Sequence, residues 1–314
     1  LKNQKTCFLF PGQGAQYSGM GKDLWEESLK VRELFKLARE KTGLNVEKLL
    51  FEGSEEELKE TDKTQIAVTL VNLAASAVLK ERRITPHGCA GFSLGEYAAL
   101  HEAGVIKTED IFSIVKIRGE IMEKASRKID SASGKAGMAA VIGLDYDEVV
   151  SVLKDINRCD LFIANHTSPI QVVLSGTADG LKRAESAFDR AGAMRFIFLS
   201  VSGPFHSPLL EGAGKEFGEV LSDYDFQDPA IPLYSNVTGK RVKSGEEARE
   251  LCVLQIFSPV KWLDEEKSIL EDGYERFLEV GPGNVLSGLW KSFNKERKCR
   301  PVSKLADIEK ILSD

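Results

Sequence analysis

Ser93 lies in Gly91-Phe92-Ser93-Leu94-Gly95, the G-x-S-x-G spacing of a serine nucleophile on a sharp strand-to-helix turn. A serine hydroxyl is a weak nucleophile until a base takes its proton. The chain has four histidines: His87, His101, His166 and His206. His87 is so close to Ser93 that an extended strand separates them. His101 falls about two turns down the helix expected after Ser93, directed away from its start. His166 falls in a loop of another segment. His206 stands in Gly203-Pro204-Phe205-His206-Ser207-Pro208, where prolines restrict the backbone, and elimination favours it as the base. The chemistry expected is acyl transfer, with the oxyanion stabilised by free N–H groups at the start of the helix. The plainer alternatives are a serine that only caps the helix and a histidine that only bonds locally.

Arg118 is the second anomaly. The segment Asp110 to Ala125 carries an apolar stripe at helical spacing: Ile111, Ile114, Val115, Ile121 and Met122. At about 100° per residue, Arg118 falls inside that stripe. A buried guanidinium cannot be neutralised and needs an anion or full hydrogen bonding. One answer is an internal ion pair with one of the chain's 48 acidic residues. The other is a substrate carboxylate held by a bidentate fork. A third feature is the loop Gly12-Gln13-Gly14 after the first apolar run. It lacks the G-x-G-x-x-G spacing and the Lys-Ser/Thr of nucleotide cradles, so nucleotide binding is rejected. Its backbone N–H groups suit half of an oxyanion hole.

The elements that must position these residues can be traced along the chain. Lys5 to Phe10 reads as a buried first strand. Lys22 to Glu40 is polar and helix-prone. Thr64 to Leu79 is apolar almost all round and reads as a buried helix. A strand ends near Gly88-Cys89-Ala90, and the helix after Ser93 spans Leu94 to Glu102, closed by Gly104. Residues 136 to 201 change character. Met138 to Ile142 is strand-like, Asp145 to Ile156 helical, and Leu161 to Ala164 and Gln171 to Leu174 are short strands around an Asn165–Pro169 loop. Thr177 to Ala191 is a second helix with a Thr N-cap, and Arg195 to Val201 a fourth strand. That order is β-α-β-β-α-β, a split βαβ arrangement. The fold class expected is therefore α/β: a large α/β-hydrolase-like body with a mainly parallel sheet over 1–132 and 202–314, and an inserted ferredoxin-like subdomain over 133–201. Two further loops stand out, Pro232–Gly239 and Glu279–Asn284.

Composition bounds the function classes. The chain has 314 residues, 42% hydrophobic and 29% charged, with net charge −6. That acidity argues against nucleic acid as a main partner. No apolar run approaches the ~18 residues of a membrane span, and Cys7–Phe10, the apolar run within Leu1 to Phe10, is too short for a signal peptide. Five cysteines without a C-x-x-C pair point to a reduced, cytoplasmic protein with no metal site.

Taken together, these motifs resemble the malonyl-CoA:acyl carrier protein transacylases of fatty-acid synthesis and the acyltransferase domains of polyketide synthases. The resemblance runs nearly end to end. It includes Phe10-Pro-Gly-Gln-Gly-Ala-Gln16, Gly91-Phe-Ser-Leu-Gly-Glu-Tyr97, Arg118, Asn165, Ser168-Pro169, Gly203-Pro-Phe-His206, Gln255, Ser258-Pro-Val260 and Glu279-Val-Gly-Pro-Gly283. It implies that Ser93 carries the malonyl ester, that His206 is general base and then acid, and that Arg118 pairs with the malonyl carboxylate. It places the backbone N–H groups of Gln13 and Leu94 in the oxyanion hole. The Gln255 carbonyl would orient His206, making a dyad without an acid, and Met122, Asn165 and Phe205 would line the pocket. The substrates implied are malonyl-CoA and the phosphopantetheine thiol of holo acyl carrier protein, a transient partner. No tightly bound cofactor is implied.

The standalone length implies a discrete cytoplasmic subunit, expected to be a monomer. The family commonly has His where this chain has Phe92, and often Ser at Ala15. Lys80–Arg83 and Lys291–Arg300 are the candidate carrier-docking patches, although charge runs are commonly just solvated faces. The alternatives are the same chemistry on another acyl group such as methylmalonyl, a serine hydrolase or thioesterase, and a non-catalytic carrier-binding subunit.

Overall fold

Eight strands occur in the computed structural model, which describes residues 4–156 and 159–313. They are β1 (Thr6–Phe10), β2 (Gly88–Gly91), β3 (Gly137–Ile142), β4 (Leu161–Ser168), β5 (Gln171–Gly176), β6 (Arg195–Phe198), β7 (Arg276–Val280) and β8 (Cys299–Val302). β2, β1, β7 and β8 form a wholly parallel sheet in that order. β1 is buried at every position. Phe8 and Phe10 enter one core, while Cys7 and Leu9 enter another. Burial on both faces is why this strand reads as a continuous apolar run.

The second sheet is antiparallel, in the order β4-β5-β3-β6. With helices Tyr146–Asp155 and Ala178–Arg190 it makes the expected βαββαβ, ferredoxin-like unit. Its strands send alternate residues to two different buried faces. Ala139, Val141, Val172 and Leu174 pack on the two helices. Met138, Ala140 and Val173 face the body. Asp145 and Glu148 close a capping box on the first helix, and Thr177 caps the second.

Some sequence expectations shift. Lys22 to Glu40 is two helices, Lys22–Glu27 and Leu29–Thr42, because Ser28 is extended and its side chain caps the second. Ser28 also donates to Glu81 at 2.9 Å. The Asn165–Pro169 loop is mostly strand: β4 runs on to Ser168, with register shifts on either side of Asn165 and His166. His166 is therefore a strand residue, not a loop residue. The fourth strand of the small sheet stops at Phe198 instead of Val201. Thr61–Glu81 is the expected buried helix, slightly longer than its apolar run. Of the stretch Leu1 to Phe10, residues Leu1–Asn3 lie outside the described residues.

Candidate active site

β2 ends at Gly91, and the helix Gly95–Glu102 begins two residues after Ser93. The turn between them is as tight as the motif demands. Ser93 has φ of +51°, a left-handed conformation that is strained for a residue with a side chain. A Cβ on Gly95 would stand 2.0 Å from the Phe10 carbonyl oxygen, so only glycine lets the helix seat against the end of β1. Ser93 Oγ is thereby pushed clear of the backbone, 2.7 Å from His206 Nε2.

His206 also has positive φ, +58°. Its ring is fixed from behind, where Nδ1 lies 2.7 Å from the Gln255 carbonyl oxygen. A carbonyl can only accept, so Nδ1 carries the proton and Nε2 is left bare toward Ser93. The His206 backbone N–H also donates to the Ile256 carbonyl, at 3.1 Å. Burial, and after it the nearby Arg118 charge, push the imidazole down to about 4, so it is neutral near pH 7. The remaining histidines are placed elsewhere. His87 Nδ1 accepts from the Thr6 N–H, and His101 Nε2 is 2.9 Å from Thr108 Oγ1. His166 stacks on Tyr146.

Arg118 lies on helix Thr108–Arg127 and is 1% exposed. No internal ion pair satisfies it among the described residues. Nη1 donates to Gln65 Oε1 at 2.8 Å and Nη2 to Gln255 Oε1 at 2.9 Å. Its guanidinium lies over the Tyr97 ring, 5.1 Å from the centroid. Nε is buried with no partner. Of five guanidinium donors, two are used, and both acceptors are neutral amides.

Ser93, His206 and Arg118 open into one cavity of about 410 Å³, a size suited to a small organic ligand. Gln13, Leu94, Met122, Asn165 and Phe205 also line it. The body supplies one wall, and β3, β4 and β5 supply the other through residues such as Ala140, Asn165 and Val173. Neither the Gln13 N–H nor the Leu94 N–H has an acceptor among the described residues, whereas the Ser93 N–H donates to Asn236 Oδ1 at 2.7 Å. Phe92 packs edge-to-face on Trp262 with centroids 5.5 Å apart.

Sequence reasoning missed three buried polar residues that tie the site together: Gln65, Glu96 and Asn236. Gln255 Nε2 donates to the Ser93 carbonyl at 2.9 Å and also to Glu96. Burial pushes the Glu96 carboxyl up to about 7. Asn236 sits in the Pro232–Gly239 loop, so that loop was a usable signal. Gln65 was detectable as a polar side chain inside an otherwise apolar helix. Among the described residues no three His, Cys, Asp or Glu side chains gather as a metal site. The Lys80–Arg83 patch is partly occupied: Lys80 pairs with Glu102 at 2.9 Å, and Arg82 pairs with Glu27.

The acyl transferase domain family matches residues 7–306. The malonyl CoA-acyl carrier protein transacylase of Bacillus subtilis is 38% identical over 97% of this chain and 95% of its own length. The crystal structure of malonyl-CoA:acyl carrier protein transacylase from Xanthomonas oryzae pv. oryzae superposes with a TM-score of 0.93 at 33% identity, covering 100% of this chain and 99% of that one. A type II polyketide acyl-carrier protein in complex with its malonyl-transacylase gives a TM-score of 0.93 at 34% identity, over 98% of this chain and 99% of that one. The chain belongs to the acyl transferase family that these transacylases share.

Proposed function

We propose that the protein moves a malonyl group from coenzyme A to the phosphopantetheine thiol of an acyl carrier protein, through a malonyl ester on Ser93. The observation that carries this reading is Arg118. A buried guanidinium with unused donors shares a cavity with a serine–histidine pair, and an acyl group bearing its own carboxylate supplies the missing anion.

In the first half-reaction, Ser93 Oγ attacks the thioester carbonyl carbon while its proton passes to His206 Nε2. The oxyanion is held by the Gln13 and Leu94 N–H groups. The C–S bond then breaks, and the departing CoA sulfur takes the proton from His206. In the second half, the carrier thiol gives its proton to His206 and attacks the ester, and Ser93 leaves with that proton. Thioester, ester and thioester follow one another, so the transfer is ping-pong and reversible. Gln255 orients His206, while Met122, Asn165 and Phe205 shape the acyl pocket. In this reading residues 133–201 act as an inserted unit closing the cavity over the body formed by 1–132 and 202–314. Among the described residues no helix is long and apolar enough to cross a membrane. We place the enzyme in the cytoplasm as a monomer supplying extender units for fatty-acid synthesis, without a tightly bound cofactor.

The test is intact-protein mass after brief exposure to malonyl-CoA, with acetyl-CoA and methylmalonyl-CoA in parallel. The expected result is a single malonyl adduct, absent in Ser93→Ala, that is discharged onto holo carrier protein. Free malonate without an adduct would make the protein a hydrolase, and a preferred methylmalonyl adduct would move it to another acyl branch.

A further inference from the structure

The nucleophile's strained turn has to be held by something. Its two flanks are Gly91, at the end of β2, and Leu94, whose N–H must stay free for the oxyanion. Asn236 is fully buried and touches both the turn and its support. Its Oδ1 accepts from the Ser93 N–H at 2.7 Å and from Gln255 Nε2 at 3.3 Å. Its Nδ2 donates to the Gly91 carbonyl at 2.7 Å and to Glu265 Oε1 at 2.7 Å. Its own N–H donates to Glu96 at 3.3 Å. The amide orientation is fixed by these partners, since a backbone N–H demands an acceptor and a backbone carbonyl a donor. The segment carrying Asn236 lies beside β2: the Cys89 N–H donates to the Pro232 carbonyl, and the Tyr234 N–H donates to the Cys89 carbonyl. Asn236 therefore arrives level with the strand end.

We propose that Asn236 is a positioning residue for acyl transfer. It bridges the N–H of the nucleophile and the carbonyl two residues before it, which holds Ser93 at positive φ, and Glu265 anchors the bridge. Absorbing the Ser93 N–H also leaves the Leu94 N–H as the donor that faces the cavity. Asparagine is required because one side chain must accept from one strand-end group and donate to another. Aspartate can do only the first when ionised. The inference rests on Ser93 being the acylated residue and adds what keeps it in place.

The experiment measures three things in Asn236→Ala, Asn236→Asp and Asn236→Asp combined with Glu265→Gln. They are the single-turnover rate of malonyl adduct formation, the rate of Ser93 modification by a small neutral sulfonyl fluoride, and the binding of a non-hydrolysable malonyl-CoA analogue. Misplacing a reacting group by an ångström can cost on the order of 100-fold. Asn236→Ala is expected to slow both rates by about 30-fold or more, with analogue binding within about threefold, because Asn236 does not line the cavity and Arg118 keeps its bond to Gln65, while Gln255 keeps its bond to the Ser93 carbonyl. Asn236→Asp is expected to be slow as well. Adding Glu265→Gln should recover part of both rates, because the amide that replaces the Glu265 carboxyl can donate to the aspartate. Rates within about threefold of wild type in Asn236→Ala would overturn the proposal, as would binding and both rates falling together. If the alanine variant does not fold, equal rates in the single and double aspartate variants would overturn it. The sulfonyl fluoride arm reports on Ser93 even if malonyl-CoA proves not to be the substrate, so a failure of the transfer reading leaves the positioning test standing.

Discussion

His206 is kept neutral by the groups around it. Burial disfavours its charged form most, and the Arg118 guanidinium adds to that. In the proposed transfer the imidazole must be neutral to take the Ser93 proton, so lowering its pKa widens the active range toward acid. The rate of Ser93 modification by a neutral sulfonyl fluoride is expected to show an acid limb near 4, the value set by the free enzyme. Arg118→Ala removes the second cause and should move that limb upward, toward the ordinary imidazole value. A wild-type limb already at 6.5 would mean that burial and Arg118 do not depress the His206 imidazole in the free enzyme. The same variant should lose malonyl transfer by about 2–5 kcal/mol, the usual result of truncating one partner of a desolvated charge pair. Arg118 was legible because its anomaly is local, a charge inside a helical apolar stripe. Its actual neighbours were not, because Gln65 and Gln255 reach it from 53 and 137 residues away.

At the scale of elements, the site depends on how closely β1, β2 and the Ser93 helix approach one another. Gly95→Ala would drive a methyl group into the Phe10 carbonyl, which belongs to the central strand and cannot retreat. A loss of about 1–3 kcal/mol is expected, measured by urea unfolding. Gly212 is the control, since its Cβ would meet nothing within 4 Å on helix Glu211–Leu221. Gly212→Ala should be neutral or stabilise by up to about 1 kcal/mol. Equal losses at the two sites would mean that close packing is not why the motif needs its second glycine. The motif itself could be read from sequence because its constraint spans five residues. β4 beyond Ala164 could not, since Asn165-His166-Thr167-Ser168 looks like a polar loop. It is strand because β5 pairs with it, and because the His166 N–H donates to the Val260 carbonyl while the Val260 N–H donates to Ala164. Such long-range pairing overrides local propensity.

At the scale of the whole molecule, an acidic carrier protein, as the acceptor in the proposed transfer, would need positive charge near the cavity on a chain of net charge −6. Helix Val285–Phe293 is well placed for it. Buried Glu279 accepts from the Leu286 and Ser287 N–H groups at 2.9 and 2.8 Å, which pins the start of this helix to the end of β7. Val285 and Leu289, one turn apart on one face, line the cavity. Leu286 and Trp290 are buried beneath it. Lys291 is left exposed on the remaining side, and Lys295, Arg297 and Lys298 continue the positive stretch, also exposed. A carrier that brings its phosphopantetheine arm to the cavity can meet this charge without crossing the molecule. Reversing one rim charge mainly weakens encounter and leaves the chemistry alone. Lys291→Glu should therefore raise the KM for holo carrier protein several-fold, with the rate of malonyl adduct formation from malonyl-CoA unchanged. The defect should shrink as salt rises toward about 0.5 M, where the Debye length falls to about 4 Å. A salt-independent defect, or one shared with the CoA half-reaction, would place the carrier elsewhere and leave Lys291 a solvated charge.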